Sequence, residues 1–80
     1  METTYYCDNA RHLVCWPYTI ADLHLMAERL DIKPCWFHKT HYDIPKRRIK
    51  EITAKCIVVS SQDIVRIIKG EYDGKGITSR

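Results

Sequence analysis

The segment Cys56-Ile57-Val58-Val59-Ser60-Ser61-Gln62-Asp63-Ile64 contains the change of pattern that decides the fold class. Its first four residues are all apolar, which is typical of a short buried strand. Ser60 can cap a helix, and Asp63 stands three residues later in capping-box position. Apolar residues then recur at helical spacing up to Gly70, a typical helix end. The segment therefore predicts a buried strand followed directly by a helix.

Two shorter apolar segments near the start of the chain also predict strands. Thr4-Tyr5-Tyr6-Cys7 is β-prone and ends at Asp8-Asn9, which is a turn signal. Leu13-Val14-Cys15-Trp16 can form a second strand, and Pro17 would confine that strand to an edge of the sheet.

Two further helices are predicted between these strands. Thr19 can cap the first, with Asp22 in capping-box position, and this helix places His24 on its buried stripe. Residues 33–43 show no clear period and are predicted as a loop. A second helix is predicted to begin at Asp43-Ile44-Pro45, because proline is tolerated in a first helical turn.

Strands separated by helices indicate an α/β fold. We predict a small single layer of two or three strands with three helices, in which the first and last strands run parallel. Residues 1–70 would form one domain, and residues 71–80 a flexible C-terminal tail.

Length and composition exclude several classes of protein. The chain has 80 residues, 45% of them hydrophobic, which is enough for one domain and too little for a large enzyme fold. No stretch approaches the roughly 18 apolar residues of a membrane span. The residues after Met1 are polar and unlike a signal peptide. The four cysteines lie within or beside apolar runs, so we expect reduced thiols and a cytoplasmic protein.

The positive charge is concentrated in one part of the chain. Residues 33–55 contain seven basic and two acidic side chains, a net charge of +5, whereas the whole chain carries only +3. Lys46 and Arg47 stand at the start of the predicted second helix, where backbone N–H groups also favour an anion. The alternative is that these basic residues form an ordinary solvated surface.

Aromatic and histidine residues precede this basic stretch. Trp36 or Phe37 can stack on a base, and His41 and Tyr42 can donate hydrogen bonds. The alternative is that at least one of the two aromatic residues packs in the core. The combination predicts a site for a nucleotide-like or phosphorylated ligand.

Two metal sites are also possible from residue types alone. Cys35, His38 and His41 have zinc-ligand chemistry at C-x-x-H-x-x-H spacing, but no paired C-x-x-C motif accompanies them. Asp8 with Asp43 and His41 could instead hold Mg²⁺ or act in acid–base chemistry. The alternative is that Asp8 is a turn residue and Asp43 a helix cap.

The ordered set of motifs resembles the uncharacterised bacterial and bacteriophage domain-of-unknown-function family 4031. The matching residues are Tyr6-Cys7-Asp8-Asn9-Ala10-Arg11, Asp22-Leu23-His24-Leu25-Met26-Ala27, Trp36-Phe37, His41-Tyr42-Asp43-Ile44 and Lys46-Arg47. The resemblance implies no established activity. It implies that these scattered polar residues share a site, and it weakens the zinc hypothesis, because family members usually carry other residues at the positions of Cys35 and His38.

We therefore expect a small non-enzymatic domain that binds a nucleotide-like or other anionic small molecule, without catalytic residues, metal or other cofactor. The predicted ligand-binding residues are Asp8, Arg11, His24, Trp36, Phe37, His41, Tyr42, Asp43, Lys46 and Arg47. A homo-oligomer could complete the pocket between two copies. If the gene is viral, as the resemblance permits, the domain could sequester a host nucleotide immune signal.

Two other functions stay open. The first is a metal-dependent phosphoesterase or nucleotide hydrolase that uses Asp8, His41 and Asp43. The second is a nucleic-acid or protein-interaction module that uses the segment of net charge +5, and nucleic-acid binding would then weaken steeply with salt. No membrane partner is expected.

Overall fold

A five-stranded mixed β-sheet with three helices forms the protein, as described for residues 3–71 by a computed structural model. The strands are β1 (Thr4–Cys7), β2 (His12–Trp16), β3 (Phe37–His38), β4 (His41–Asp43) and β5 (Ile57–Val58). The helices are α1 (Ile20–Arg29), α2 (Ile49–Thr53) and α3 (Ser61–Lys69). The predicted tail, apart from Glu71, lies outside the described residues.

The strand order is β3-β4-β2-β1-β5. All neighbours pair antiparallel except β1 and β5, which pair parallel. The α/β class is confirmed, but the prediction of two or three strands was wrong. The extra strands form a hairpin within residues 33–43, where two- and three-residue strands are too short to show a period. Lys39 makes the turn between them with φ of 57°.

The prediction that Pro17 confines β2 to an edge was wrong, because β2 lies in the middle of the sheet. β2 pairs with β1 along Leu13–Trp16, but with β4 only at His12 and Leu13. Pro17 therefore follows the strand at an end where no β4 residue needs its missing N–H.

The prediction that the apolar run at residues 56–59 forms a buried strand was also wrong, because the strand covers only Ile57–Val58 and is not buried. Ile57 and Val58 are 43% and 44% exposed. β5 is an edge strand of two residues, and only Val59, which follows it, is buried at 8% exposure. An apolar run alone does not reveal where its strand lies in the sheet.

Local signals place the first and third helices as predicted. The Thr19 hydroxyl accepts from the Asp22 backbone N–H at 3.0 Å, and the Ser60 hydroxyl accepts from that of Asp63 at 3.1 Å. Gly70, with φ of 79°, ends α3 in the left-handed conformation that glycine adopts without strain.

The predicted start of the second helix was wrong. Asp43 ends β4, and the chain stays extended through Ile44, whose N–H donates to the Arg11 carbonyl at 2.9 Å. Pro45 precedes a 3₁₀ turn at Lys46–Arg48, and α2 begins only at Ile49.

Helices cover both faces of the sheet. Side chains alternate between faces, and cross-strand partners share one. Leu13 and Tyr42 therefore share the face on which α1 packs through Leu23. Val14, fully buried, points to the opposite face, where α3 packs against β2. Among the described residues, no helix is both long and apolar enough to span a bilayer.

Candidate functional site

The structure distributes nine of the ten predicted site residues over four places. These are a hollow beside the end of β1, a smaller hollow near the 3₁₀ turns, a groove along α1, and the sheet face opposite α1. The hollow beside β1 contains Asp8 and Arg11, and the smaller hollow contains Trp36 and Arg47. The groove contains His24 and Tyr42, with Phe37 packed against both, and the sheet face opposite α1 carries His41 and Asp43. Lys46 is exposed and lines neither of the two hollows nor the groove.

Asp8 is the one buried charged residue in the part of the chain that the structure describes, and its side chain is 1% exposed. Oδ1 accepts from the backbone N–H groups of Ala10 and His12, both at 2.9 Å. Oδ2 accepts from the Ser61 hydroxyl at 2.6 Å and from Nδ1 of His12 at 2.8 Å. Burial raises the pKa of Asp8, but the hydrogen bonds from Ser61 and His12 outweigh burial and bring the pKa below its ordinary value.

The ionised Asp8 fixes the orientation and tautomer of His12. A carboxylate only accepts hydrogen bonds, so Nδ1 of His12 must carry the proton that points to Oδ2. In the neutral imidazole, Nε2 then keeps its lone pair. A carboxylate that holds a histidine in this way is the usual partner of a metal-binding or catalytic imidazole.

A hollow of about 410 Å³ lies between the turn after β1 and the helix α2. Its apolar lining includes Ile44 and Ile49, and its basic side chains are Arg11 and Lys50. Arg11 has φ of 72°, a left-handed conformation that costs a residue other than glycine about 1–2 kcal/mol. The hydrogen bonds of the Asp8 turn hold it there, so the Arg11 side chain leaves the turn from a constrained backbone.

His12, His41 and Asp43 form a polar cluster on the sheet face opposite α1. His12 and Asp43 are cross-strand partners, and His41 lies two residues before Asp43, so all three share a face. Their possible ligand atoms all lie within 4.8 Å of one another. The His12 and His41 rings meet edge to face at a centroid distance of 4.8 Å.

The cluster favours neutral imidazole at His41. Burial and the nearby His12 lower the pKa of His41, and together they outweigh Asp43, which raises it. Nε2 of His41 lies 3.3 Å from Oδ1 of Asp43. The ring of His38 lies 5.4 Å from that of His41 on the same face, whereas the exposed Cys35 is not part of the cluster.

The groove along α1 has a volume of about 610 Å³ and joins His24 to Tyr42. Nδ1 of His24 and the Tyr42 hydroxyl lie 2.7 Å apart, and the Phe37 ring packs against both side chains. Burial raises the pKa of Tyr42, so its hydroxyl stays protonated. Because Tyr42 and His41 point to opposite faces, this groove is separate from the His12 cluster.

The Trp36 hollow is small, at about 190 Å³, and part of its basic lining has a structural role. Arg48 donates to the carbonyls of Leu30 at 2.7 Å and Asp31 at 2.6 Å, and so satisfies acceptors at the end of α1. It also pairs with Glu51 at 2.8 Å. Arg47 and Trp36 remain beside this hollow, which is too small for a whole nucleotide.

Three side chains of these clusters were not among the residues predicted from the sequence, namely His12, Lys50 and Ser61. His12 follows Asp8 by four residues. If β4 had been identified from the sequence, the alternation of side chains along β2 and β4 could have placed His12 on the same sheet face as Asp43. Ser61 lies 53 residues after Asp8, and Lys50 belongs to a helix whose start was predicted too early. Neither leaves a local signal.

A model of one protein family matches residues 6–71, and its description reads "Protein of unknown function (DUF4031)". No curated protein matches the chain significantly. The solved structures likewise contain no significant match.

Proposed function

The chain belongs to this family of proteins of unknown function, and we propose that it is a binding domain for a small molecule that carries a phosphate or a similar anionic group. The observation that carries the proposal is the pair of basic side chains, Arg11 and Lys50, at the hollow beside Asp8. The nucleotide-like ligand predicted from the sequence is one member of this ligand class.

The hollow has the size and chemistry of a ligand pocket. Its volume of about 410 Å³ lies within the roughly 300–1,000 Å³ of small-molecule sites, which are mostly apolar with a few placed polar groups. Here Ile44 and Ile49 supply apolar surface, and Thr53 and Asn9 supply neutral polar groups.

Both cations are available to an anion. No ion pair within residues 3–71 involves Arg11 or Lys50, although the Arg11 guanidinium also lies 3.4 Å from the Ile44 carbonyl. The negative charge of Asp8 does not oppose binding strongly, because its carboxylate is engaged by four donors. Arginine binds phosphate with a planar pair of N–H groups, and lysine adds a point charge.

The test is thermal unfolding of the full chain with inorganic phosphate, nucleoside mono- and diphosphates, cyclic nucleotides and sugar phosphates. A ligand at about one hundred times its Kd stabilises the folded state by about 2.7 kcal/mol. For a domain of this size, that corresponds to a rise in Tm of roughly 10–20 °C. We expect at least one phosphorylated compound to raise Tm, and its unphosphorylated counterpart to have no effect.

Two matched pairs of variants locate the site. Arg11→Gln and Lys50→Gln should each weaken the Kd of the active compound by about 10–100-fold, the equivalent of one charge-assisted hydrogen bond. The controls Arg29→Gln and Lys69→Gln remove the same charges from exposed helical positions outside the hollow and should change the Kd less than twofold. Absence of any Tm shift across the panel, or equal affinity in Arg11→Gln, would refute the proposal.

Two parts of the sequence-based hypothesis remain separate predictions. No aromatic side chain lines this hollow, so stacking of a base by Trp36 or Phe37 would require the ligand to extend beyond it. A homo-oligomer is still expected to enclose the ligand more fully, and light scattering with and without the active compound tests that expectation.

A further inference from the structure

Two histidines and one aspartate converge on the sheet face opposite α1, and none of the three lines the proposed anion site. We propose that His12, His41 and Asp43 bind one divalent first-row transition-metal ion of the zinc type. This inference does not depend on the identity, or the existence, of the ligand in the hollow lined by Arg11 and Lys50.

The distances suit a metal ion. Zinc lies about 2.0–2.2 Å from imidazole nitrogen and carboxylate oxygen, so ligand atoms around a tetrahedral ion are about 3.3–3.5 Å apart. Nε2 of His41 and Oδ1 of Asp43 are already 3.3 Å apart. One possible ligand atom from each of the three residues lies within 4.8 Å of those of the other two, and rotations about side-chain bonds can bring the ligand atoms to the spacing that an ion requires.

The backbone and the surrounding hydrogen bonds prepare the ligands. Pairing of β2 with β4 fixes His12 directly opposite Asp43. Asp8 then holds His12 through Nδ1 and leaves Nε2 for the ion, and Ser61 in turn holds Asp8. A histidine that binds a metal almost always donates its other ring N–H to a carboxylate, a backbone carbonyl or water, and this bond orients the ring. The buried Asp8 is thus a positioning residue, and it contacts the ion only through His12.

The donor set selects the class of metal. Two imidazole nitrogens and one carboxylate suit Zn²⁺, Co²⁺, Ni²⁺, Cu²⁺ or Fe²⁺, whereas Mg²⁺ and Ca²⁺ prefer oxygen ligands. Three protein ligands leave at least one position for water, as in zinc sites that bind substrates rather than serve only structure. His12, His41 and Asp43 are 37%, 17% and 41% exposed at their side chains, so an ion can reach them.

The test is calorimetric titration of the metal-free full chain with Zn²⁺, and absorption spectroscopy with Co²⁺. We expect one ion per chain and a Co²⁺ spectrum of nitrogen and oxygen ligands without a thiolate charge-transfer band. His12→Gln, His41→Gln and Asp43→Asn should each weaken binding by more than about tenfold, and Asp8→Asn by about 10–100-fold, as for other indirect ligand supports.

His24→Gln is the matched control, because His24 lies on α1, on the opposite side of the sheet, and its loss should change the affinity less than twofold. Circular dichroism of each variant in EDTA confirms that it is folded before titration. Wild-type affinity in both His41→Gln and Asp43→Asn would overturn the proposal. A thiolate band that disappears in Cys35→Ser would also overturn the proposal. The same holds if His38→Gln loses Zn²⁺ binding while Asp43→Asn keeps it.

Discussion

Replacing Asp8 with asparagine removes the negative charge from a buried carboxylate that accepts four hydrogen bonds, while keeping its shape. The asparagine oxygen can stay at the Oδ1 position and keep the two backbone hydrogen bonds. The amide nitrogen then faces the Ser61 hydroxyl and Nδ1 of His12, both of which donate to Oδ2 in the wild type. Two charge-assisted hydrogen bonds are therefore lost.

The expected cost follows from those two bonds. A hydrogen bond to a charged group contributes about 1.5–3 kcal/mol, so their loss costs about 3–6 kcal/mol. Rotation of the Ser61 hydroxyl and a change of tautomer at His12 can restore neutral bonds of about 1 kcal/mol each. Asp8→Asn should therefore lower the free energy of unfolding by about 1–4 kcal/mol, a large share of the roughly 5–15 kcal/mol of a typical domain.

Urea unfolding followed by circular dichroism, in EDTA so that no metal contributes, measures this change. The control is Asp22→Asn, because Asp22 is a half-exposed residue in the first turn of α1 and should change stability by no more than about 0.5 kcal/mol. Ser61→Ala should be less damaging than Asp8→Asn and non-additive with it, since the two side chains share one bond. A loss below about 1 kcal/mol in Asp8→Asn would refute the reasoning.

Three other substitutions have defined outcomes. Tyr18→Phe removes the 2.7 Å hydrogen bond to the Thr40 carbonyl and should cost about 0.5–1.5 kcal/mol in urea unfolding at neutral pH. Burial and Cys15 raise the pKa of Tyr18. The stability that the Tyr18 hydroxyl contributes should therefore be complete below pH 10 and decrease as the pH rises through the folded-state pKa. If Tyr18→Phe lowered the free energy of unfolding equally at all alkaline pH values, this reasoning would be wrong. Gly70→Ala should cost about 1–2 kcal/mol from the φ of 79° alone, because nothing lies within 4 Å of the added methyl group, and an unchanged Tm would contradict the left-handed cap. Arg48→Lys should lower Tm more than Arg29→Lys, because lysine cannot reach both carbonyls at the end of α1 and a carboxylate at once; equal Tm values would show that the contacts of Arg48 are dispensable.

Signals that act within a few residues were predicted correctly from the sequence. Thr19 and Ser60 cap their helices because each hydroxyl accepts a hydrogen bond from the backbone N–H three residues later. Gly70 ends α3 at a position where the backbone is left-handed. These features depend on hydrogen bonds between near neighbours, so no knowledge of the sheet was required.

Features that depend on the neighbouring strand were not predicted. The hairpin of β3 and β4 consists of strands too short for any period, and its pairing with β2 is a tertiary property. The same holds for Ile57 and Val58, whose exposure results from the edge position of β5. The candidate site divides in the same way, because Asp8 is recognisable as the residue after a strand, whereas His12 becomes a partner of Asp43 only through strand register.

The bond between Asp8 and Ser61 joins residues 53 positions apart, and the parallel pairing of β1 with β5 spans a similar length of chain. Closing so long a loop costs conformational entropy that local hairpins and helices avoid. The first two strands and α1 can therefore assemble early, and the Asp8 carboxylate then has its local donors from Ala10 and His12 but gains the Ser61 hydroxyl only when α3 docks. A chain that is still being synthesised, or one cut before Ser61, would keep the contacts between Asp8 and His12 and the register of His12 with Asp43, but it would lack the hydroxyl that donates to Oδ2 of Asp8. The last helix to be made thus completes the hydrogen bonding of a carboxylate near the start of the chain.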